Sequence, residues 1–292
     1  MNLVYEKSNL SGIGDRLLDL ILVYTYAKMN KYENIFLNWR IDKNLGTKNG
    51  KWNTLRTEKT SFRKIDYLEE NLLKHLEFPN DINFVSEKKL NELKTNNKIF
   101  SEYLGGTSVF DFMNKFKIEN KTEFEKEYYN NFHKIKFKNI PENIKNKFNE
   151  KIITIHLRRG DKVDNQTNIN HGVNENELKE LDLLTKQFIN QQIEQGFNNF
   201  CFISDEKRIK DEYVNLYQNK CNIISVEGDE KSQTYFDLYA MAHSEKILMS
   251  QKLSCFTILG TLLGNGKLCY LYNEGRFKQL GFDRYKLIKS PV

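Results

Sequence analysis

Arg158 and Arg159 close an apolar run, Ile152-Ile153-Thr154-Ile155-His156-Leu157, and Gly160, Asp161 and Lys162 follow at once. A guanidinium presents a planar fork of donors that meets phosphate oxygens two at a time, which an ammonium cannot do. Two of them in a glycine-containing turn describe a grip for a phosphorylated ligand. Asp161 adds a carboxylate that can take a proton or hold one of the arginines. A second anion-compatible stretch opens the chain, where Ser8-Asn9-Leu10-Ser11-Gly12-Ile13-Gly14-Asp15-Arg16 runs into an apolar segment. Backbone N–H groups of a glycine loop and of a helix start can meet an anion together. Each motif alone also has a plain structural reading, as a solvated basic turn or a tight turn.

These residues need elements to hold them. Four β-branched residues in succession before His156 read as a strand buried on both faces, since a strand covered by helices on either side needs no polar alternation. Its carboxyl end delivers the arginines to a sheet edge, where open α/β sheets bind ligands. Helical patterns over 175–195, 206–217, 234–243 and 256–263 then alternate with strand patterns over 199–203, 222–226, 246–249 and 267–272. Strict alternation implies a parallel sheet with helices on both faces and right-handed crossovers. Five such strands make a complete doubly wound, nucleotide-binding-type domain.

The first half is less regular. Strands are expected over 2–5, 34–39, 82–85 and 99–103, and helices over 17–29, 67–75, 87–94 and 123–134, the first buried over most of its circumference. A polar stretch over 42–64 reads as a long loop. Residues 137–149, with Pro141 and many Asn and Lys, carry little periodicity and read as an interdomain linker. The expectation is an α/β chain of two domains, 1–148 and 149–292.

Composition bounds the function. Of 292 residues, 39% are hydrophobic and 29% charged, a soluble globular balance. The formal charge of +6 leans weakly toward anionic ligands, without the basic stripe and interleaved aromatics of a nucleic-acid binder. No apolar run approaches the roughly 20 residues of a spanning helix. The start, Met1 to Lys7, lacks a signal-peptide layout, so a cytoplasmic protein with no integral membrane segment is expected. Cys201, Cys221, Cys255 and Cys269 are too widely spaced for disulfides or a zinc site and read as buried thiols. The triplets starting at Asn9, Asn120 and Asn165 fit a glycan acceptor pattern, but a glycan on two of them would obstruct the candidate loops. There is no Asp-x-Asp pair, so no divalent metal clamp is indicated.

With His156-Leu157-Arg158-Arg159-Gly160-Asp161 at a strand end, the chain resembles the GDP-fucose-dependent fucosyltransferases of the α1,2, α1,6 and protein O-linked groups. Ser204-Asp205, the run from Thr234 to Ser244, the stretch from Ser250 to Phe256 and the Gly12-Ile13-Gly14-Asp15 loop match further motifs in order. The likeness is loose over 1–30 and good over 150–265. It implies a GT-B-like fold of two Rossmann-like domains with the donor site in the C-terminal doubly wound parallel sheet, and transfer of fucose or a similar deoxysugar from a GDP-sugar to a glycan hydroxyl. The transfer would be inverting and need no metal.

Carried over by position, the resemblance implies that Arg158 contacts the diphosphate and supports the leaving GDP. Arg159 would hold the loop or make a second phosphate contact. His156 and Asp237 would stand by the guanine and ribose, Ser254 would donate to phosphate at a helix start, and Gly12 and Gly14 would form the glycine loop. The acceptor hydroxyl needs a base. Where α1,6 relatives place a Glu, this chain has Gln166, leaving Asp161, Asp164, His171 and Asp15 as candidates. Gln166 also motivates an alternative, a non-catalytic nucleotide- or glycan-binding protein of the same fold.

Overall fold

The computed structural model describes residues 1–6, 12–39, 69–102, 104, 107–159, 174–251, 254–264, 268–273, 276–281 and 286–288. The expected loop over 42–64 and the residues Gly160, Asp161, Asp164, Gln166 and His171 lie outside them.

The first half runs β1 (Leu3–Tyr5), α1 (Ile13–Met29), β2 (Ile35–Leu37), α2 (Glu69–His75), β3 (Leu76–Glu77), β4 (Ile82–Phe84), α3 (Glu87–Lys94), β5 (Lys98–Phe100), α4 (Val109–Lys115), α5 (Lys121–Phe132), β6 (Lys136–Phe137) and α6 (Glu142–Lys145). Its four-stranded sheet, in the order β4-β2-β1-β5, is parallel throughout. Helix α1 starts at Ile13, four residues before the expected start, because Gly12 takes an extended conformation and serves as its N-cap. Gly14 and Asp15 therefore stand in the first turn of a helix and not in a loop. The helix is buried almost all round, from Leu17 and Leu18 to Tyr24, as its unbroken apolar composition requires.

The expected linker is structured. Phe137 lies in β6, which pairs antiparallel with β3, and α6 leads into a 3-10 turn at Asn146–Asn149. Phe137 and Phe148 both meet the Tyr239 ring edge-on, with centroids 5.3 and 5.7 Å away. Pieces of two to four residues are too short to show a period, which hid them in the sequence.

The second half runs β7 (Ile152–Leu157), α7 (Glu175–Glu194), β8 (Asn199–Ser204), α8 (Lys207–Tyr217), β9 (Asn222–Ile223), α9 (Gln233–Ala242), β10 (Lys246–Met249), α10 (Cys255–Leu263), β11 (Leu268–Asn273), β12 (Arg276–Gly281) and β13 (Lys286–Ile288). The sheet order is β13-β12-β11-β10-β7-β8-β9. The five strands from β11 to β9 are parallel, and β12 and β13 add an antiparallel edge of which the alternating βα pattern gave no sign. Chain order runs outward from β7 in both directions, to β8 and β9 on one side and to β10 and β11 on the other. The boundary between β7 and β10 is thus the point where the winding reverses, the place where open α/β sheets form their ligand crevice, outside the strands' carboxyl ends.

Strand β7 is buried along its whole length, and its side chains alternate between two cores. Ile153, Ile155 and Leu157 join Phe188, Ile189, Phe202 and Tyr213 beneath α7 and α8. Ile152 on the other face joins the larger core, which takes in Ile247 and Met249, Tyr235 and Leu238 of α9, Ile258 and Leu259 of α10, and Leu17 and Ile21 of α1. That core passes from one sheet's helices to the other's. Helix α1 packs against α10 and α5.

Candidate functional site

The alternation of β7 continues past its end and separates the two arginines. His156 and Arg158 follow Thr154 onto the face covered by α9 and α10, whereas Arg159 follows Leu157 toward α7. Thr154 Oγ1 lies 2.6 Å from Ser244 Oγ, His156 Nδ1 lies 2.6 Å from Thr257 Oγ1, and Arg158 donates to Ser254 Oγ at a long 3.5 Å. Arg158 is half-buried at the crevice and Arg159 is buried.

Arg159 is a wall residue. It donates through one terminal nitrogen to the Ser250 carbonyl at 2.6 Å, and through the other to Asp182 Oδ1 at 2.6 Å and Ser250 Oγ at 2.9 Å. Its side chain is 4% exposed. Thr185 Oγ1 lies 2.7 Å from Ser250 Oγ, and the Tyr213 hydroxyl donates to Asp182 at 3.1 Å. Burial, followed by the Asp182 carboxylate, drives the Tyr213 phenol well above its ordinary range, so it stays a donor. Residues from β7, α7, α8 and the end of β10 thus fix Arg159 just past the end of β7. The pair at the end of β8 completes the clamp. Ser204 Oγ donates to the Leu157 carbonyl at 2.6 Å, and Asp205 Oδ1 accepts the Arg159 backbone N–H at 2.9 Å. Ser204 Oγ also accepts the backbone N–H of Glu206, the N-cap of α8, at 3.1 Å.

On the crevice side, α10 begins at Ser254 with no side-chain cap, so its first N–H groups point at the same place as Arg158. Helix α1 begins beside it. A Cβ on Gly14 would stand 2.5 Å from the Phe256 nitrogen and 2.6 Å from the Cys255 carbonyl carbon, so glycine alone lets the two helix starts touch backbone to backbone. A Cβ on Gly12, the N-cap of α1, would meet nothing within 4 Å. The Cys255 thiol is held well above its usual range by burial first and then by the nearby Asp15 carboxylate, with Asp19 adding to the rise and Arg158 opposing it.

Of the residues expected at a site, the structure gathers Arg158, Ser254 and Gly14 at the junction of β7, α10 and α1, with His156 enclosed one layer behind them at 4% exposure. Asp237 stands apart on α9, half-buried, where Gln233 Nε2 donates to it at 2.9 Å. Asp161 lies outside the described residues. Asp182, Thr185 and Thr257 went unnoticed in the sequence, because each belongs to a helix whose local pattern is ordinary and only the fold brings it to β7. Among the described residues no three His, Cys, Asp or Glu side chains group as a metal site.

No protein-family model and no curated protein matches the chain at the level of sequence. Solved structures do match. The fucosyltransferase NodZ from Bradyrhizobium superposes with a TM-score of 0.53 at 12% identity, covering 95% of this chain and 98% of that one. NodZ alpha-1,6-fucosyltransferase co-crystallised with GDP gives 0.54 at 13% identity, covering 95% and 97%. The same enzyme soaked with GDP-fucose gives 0.52 at 12%, covering 99% of both chains. The fold is therefore the GT-B-type α/β fold of these fucosyltransferases, over nearly the whole chain.

Proposed function

We propose that the protein is a glycosyltransferase that takes fucose, or a similar deoxysugar, from a GDP-sugar and passes it to a glycan hydroxyl. The observation that carries this reading is Arg158, half-open at the winding reversal between β7 and β10 and directed toward the uncapped start of α10. A diphosphate placed there would receive a guanidinium and helix N–H groups at once. Sugar transfer is limited by the negative charge that grows on the departing diphosphate, and fixed donors aimed at that charge lower the barrier most. Support also comes from the fold, shared with proteins whose structures were determined with GDP and GDP-fucose.

In this reading Arg158 meets the diphosphate and Ser254 assists it at the start of α10. Arg159 acts from behind by fixing the loop. His156, through Thr257, steadies the first turn of α10, and Asp237 borders the nucleoside side. Gly12 and Gly14 bring the start of α1 to the phosphates. No metal enters the proposed step. The direct test is incubation of the purified protein with a panel of GDP-sugars and an oligosaccharide array, read by mass spectrometry. A mass gain of one deoxyhexose with GDP-fucose supports the reading. GDP binding without transfer or hydrolysis of any donor would favour the non-catalytic alternative.

A further inference from the structure

Where β10 gives way to α10, one side chain is left unmatched. Gln251 is 1% exposed, and among the described residues neither its amide nitrogen nor its amide oxygen has a hydrogen-bond partner. Asn38 and Asn131 also hold a buried amide oxygen without a partner, but each still donates through its nitrogen, to the Val85 carbonyl at 2.6 Å and to Thr25 Oγ1 at 2.9 Å. Buried polar atoms are nearly always paired, because an unmet donor or acceptor carries its full desolvation cost. In Gln251 both ends of the amide carry it. The backbone here is fixed: the Ser250 N–H meets the His156 carbonyl at 3.0 Å, and the Gln251 N–H donates to the Met249 carbonyl at 2.7 Å. Continuing the register that pairs Met249 with His156, Gln251 stands level with Arg158. Ser250 turns to Arg159 and Thr185 on the α7 side. Alternation therefore assigns Gln251 to the other side, with Arg158 and the uncapped start of α10 at Ser254.

Such an amide calls for a ligand that both accepts and donates. A diphosphate offers acceptors alone at neutral pH, so it would meet Nε2 and leave Oε1 unmet. Sugar hydroxyls do both. Resting on the glycosyltransferase reading, we propose that Gln251 is a specificity-determining residue that reads hydroxyls of the donor sugar, its Nε2 donating to one and its Oε1 accepting from the same or the neighbouring one. The sheet order supports this placement. Strand β10, which leads to Gln251, lies on one side of β7, and β8 and β9 lie on the other; α9, which carries Asp237, sets out from the β9 side. Arg158 and Ser254 then hold the diphosphate in the middle, the nucleoside extends toward Asp237, and the sugar extends toward Gln251. The part of Gln251 is recognition. An enclosed amide that only the right hydroxyls can pair rejects a sugar in which they are missing or turned away.

The test measures calorimetric affinity for GDP, for GDP-fucose and for GDP-fucose analogues that each lack one ring hydroxyl, with no acceptor present. It compares the full chain with Gln251→Leu and Gln251→Met. In the unmodified protein at least one analogue should bind about 10–100-fold more weakly than GDP-fucose. Both variants should keep GDP affinity within about twofold, which also reports that they fold, and should bind GDP-fucose about 10–100-fold more weakly than the unmodified protein does. The analogue that the unmodified protein rejects should lose no further affinity in either variant, since the group it lacks no longer has a partner. A variant that binds both GDP and GDP-fucose as the unmodified protein does would overturn the assignment. Equal losses for GDP and GDP-fucose would overturn it too, by placing the amide at the nucleotide. So would a full set of analogues that the unmodified protein binds as well as GDP-fucose, the result if Gln251 holds only water, and this comparison needs no variant. In these three cases the glycosyltransferase reading stands. If the unmodified protein binds neither GDP nor GDP-fucose, that reading itself fails, and the assignment with it.

Discussion

Arg158 and Arg159, neighbours in the chain, leave β7 toward opposite faces of one sheet: the first reaches Ser254 at 3.5 Å beside the crevice, and the second is closed against Asp182 at 2.6 Å. The alternation of a strand produces this division of labour without any special loop. In the proposed reading the first guanidinium meets the ligand, while the second is fixed in the wall behind it.

The division predicts opposite phenotypes for the two arginines. Arg158→Ala should leave the urea midpoint nearly unchanged and reduce turnover of GDP-fucose by about 10²–10³-fold. Arg158→Lys should recover little, because an ammonium cannot engage two oxygens in a plane. Steady-state kinetics beside urea unfolding checks both parts.

For Arg159 the loss should appear in stability. Asp182→Ala strands a guanidinium that is 4% exposed, and breaking such a pair costs about 3 kcal/mol, near the lower end for buried pairs because Asp182 itself is 36% exposed. The urea midpoint should fall accordingly. Replacing both partners by apolar residues, as Arg159→Met with Asp182→Leu, should regain most of it. An unchanged midpoint in Asp182→Ala would show that the pair does not hold Arg159 in the wall.

Gly14 supplies a prediction whose sign is informative. Alanine inside a helix ordinarily gains about 0.5–1 kcal/mol over glycine. At Gly14 the added carbon would meet backbone atoms of Phe256 and Cys255 at 2.5 and 2.6 Å, which cannot swing aside. Gly14→Ala should therefore destabilise by about 1–3 kcal/mol and weaken GDP binding, while Gly12→Ala should be mild. Thermal unfolding of the two variants separates them.

Alkaline pH tests the buried thiol of β8. Burial, and then the Asp237 carboxylate, push Cys201 up from 9.0 to about 12. The folded state thus holds a proton that the unfolded chain releases near pH 9, so stability is full below that pH and falls as pH rises toward 12. Tyr217, pushed by burial from 10.0 to about 12, adds to the slope from pH 10 upward. Melting temperatures across about pH 8 to 11 should decline less steeply in Cys201→Ala than in the unmodified protein.

What the sequence disclosed and what it hid follow from the range of the interactions. Strand Ile152–Leu157, from its β-branched run, and helix Glu87–Lys94 are legible in the sequence to the residue. Arg158 and Ser254 stand out through short ordered motifs, and the fold brings them to 3.5 Å from each other. Arg159's partners were not, since Asp182 is 23 residues away and no local pattern couples it to β7. The early start of α1 escaped notice because Gly12 and Gly14 look like turn residues until the neighbouring α10 backbone shows why Gly14 must lack a side chain. Helix α4 and the pieces around Phe137 are too short for periodicity to report.

The central claim is that a guanine nucleotide diphosphate binds at Arg158, and thermal unfolding with GDP, UDP and ADP tests it most directly. The account predicts that GDP raises the melting temperature of the protein well above the effect of the other two, and that Arg158→Ala abolishes the rise while melting normally without ligand. Equal stabilisation by all three nucleotides, or full stabilisation by GDP in Arg158→Ala, would contradict it.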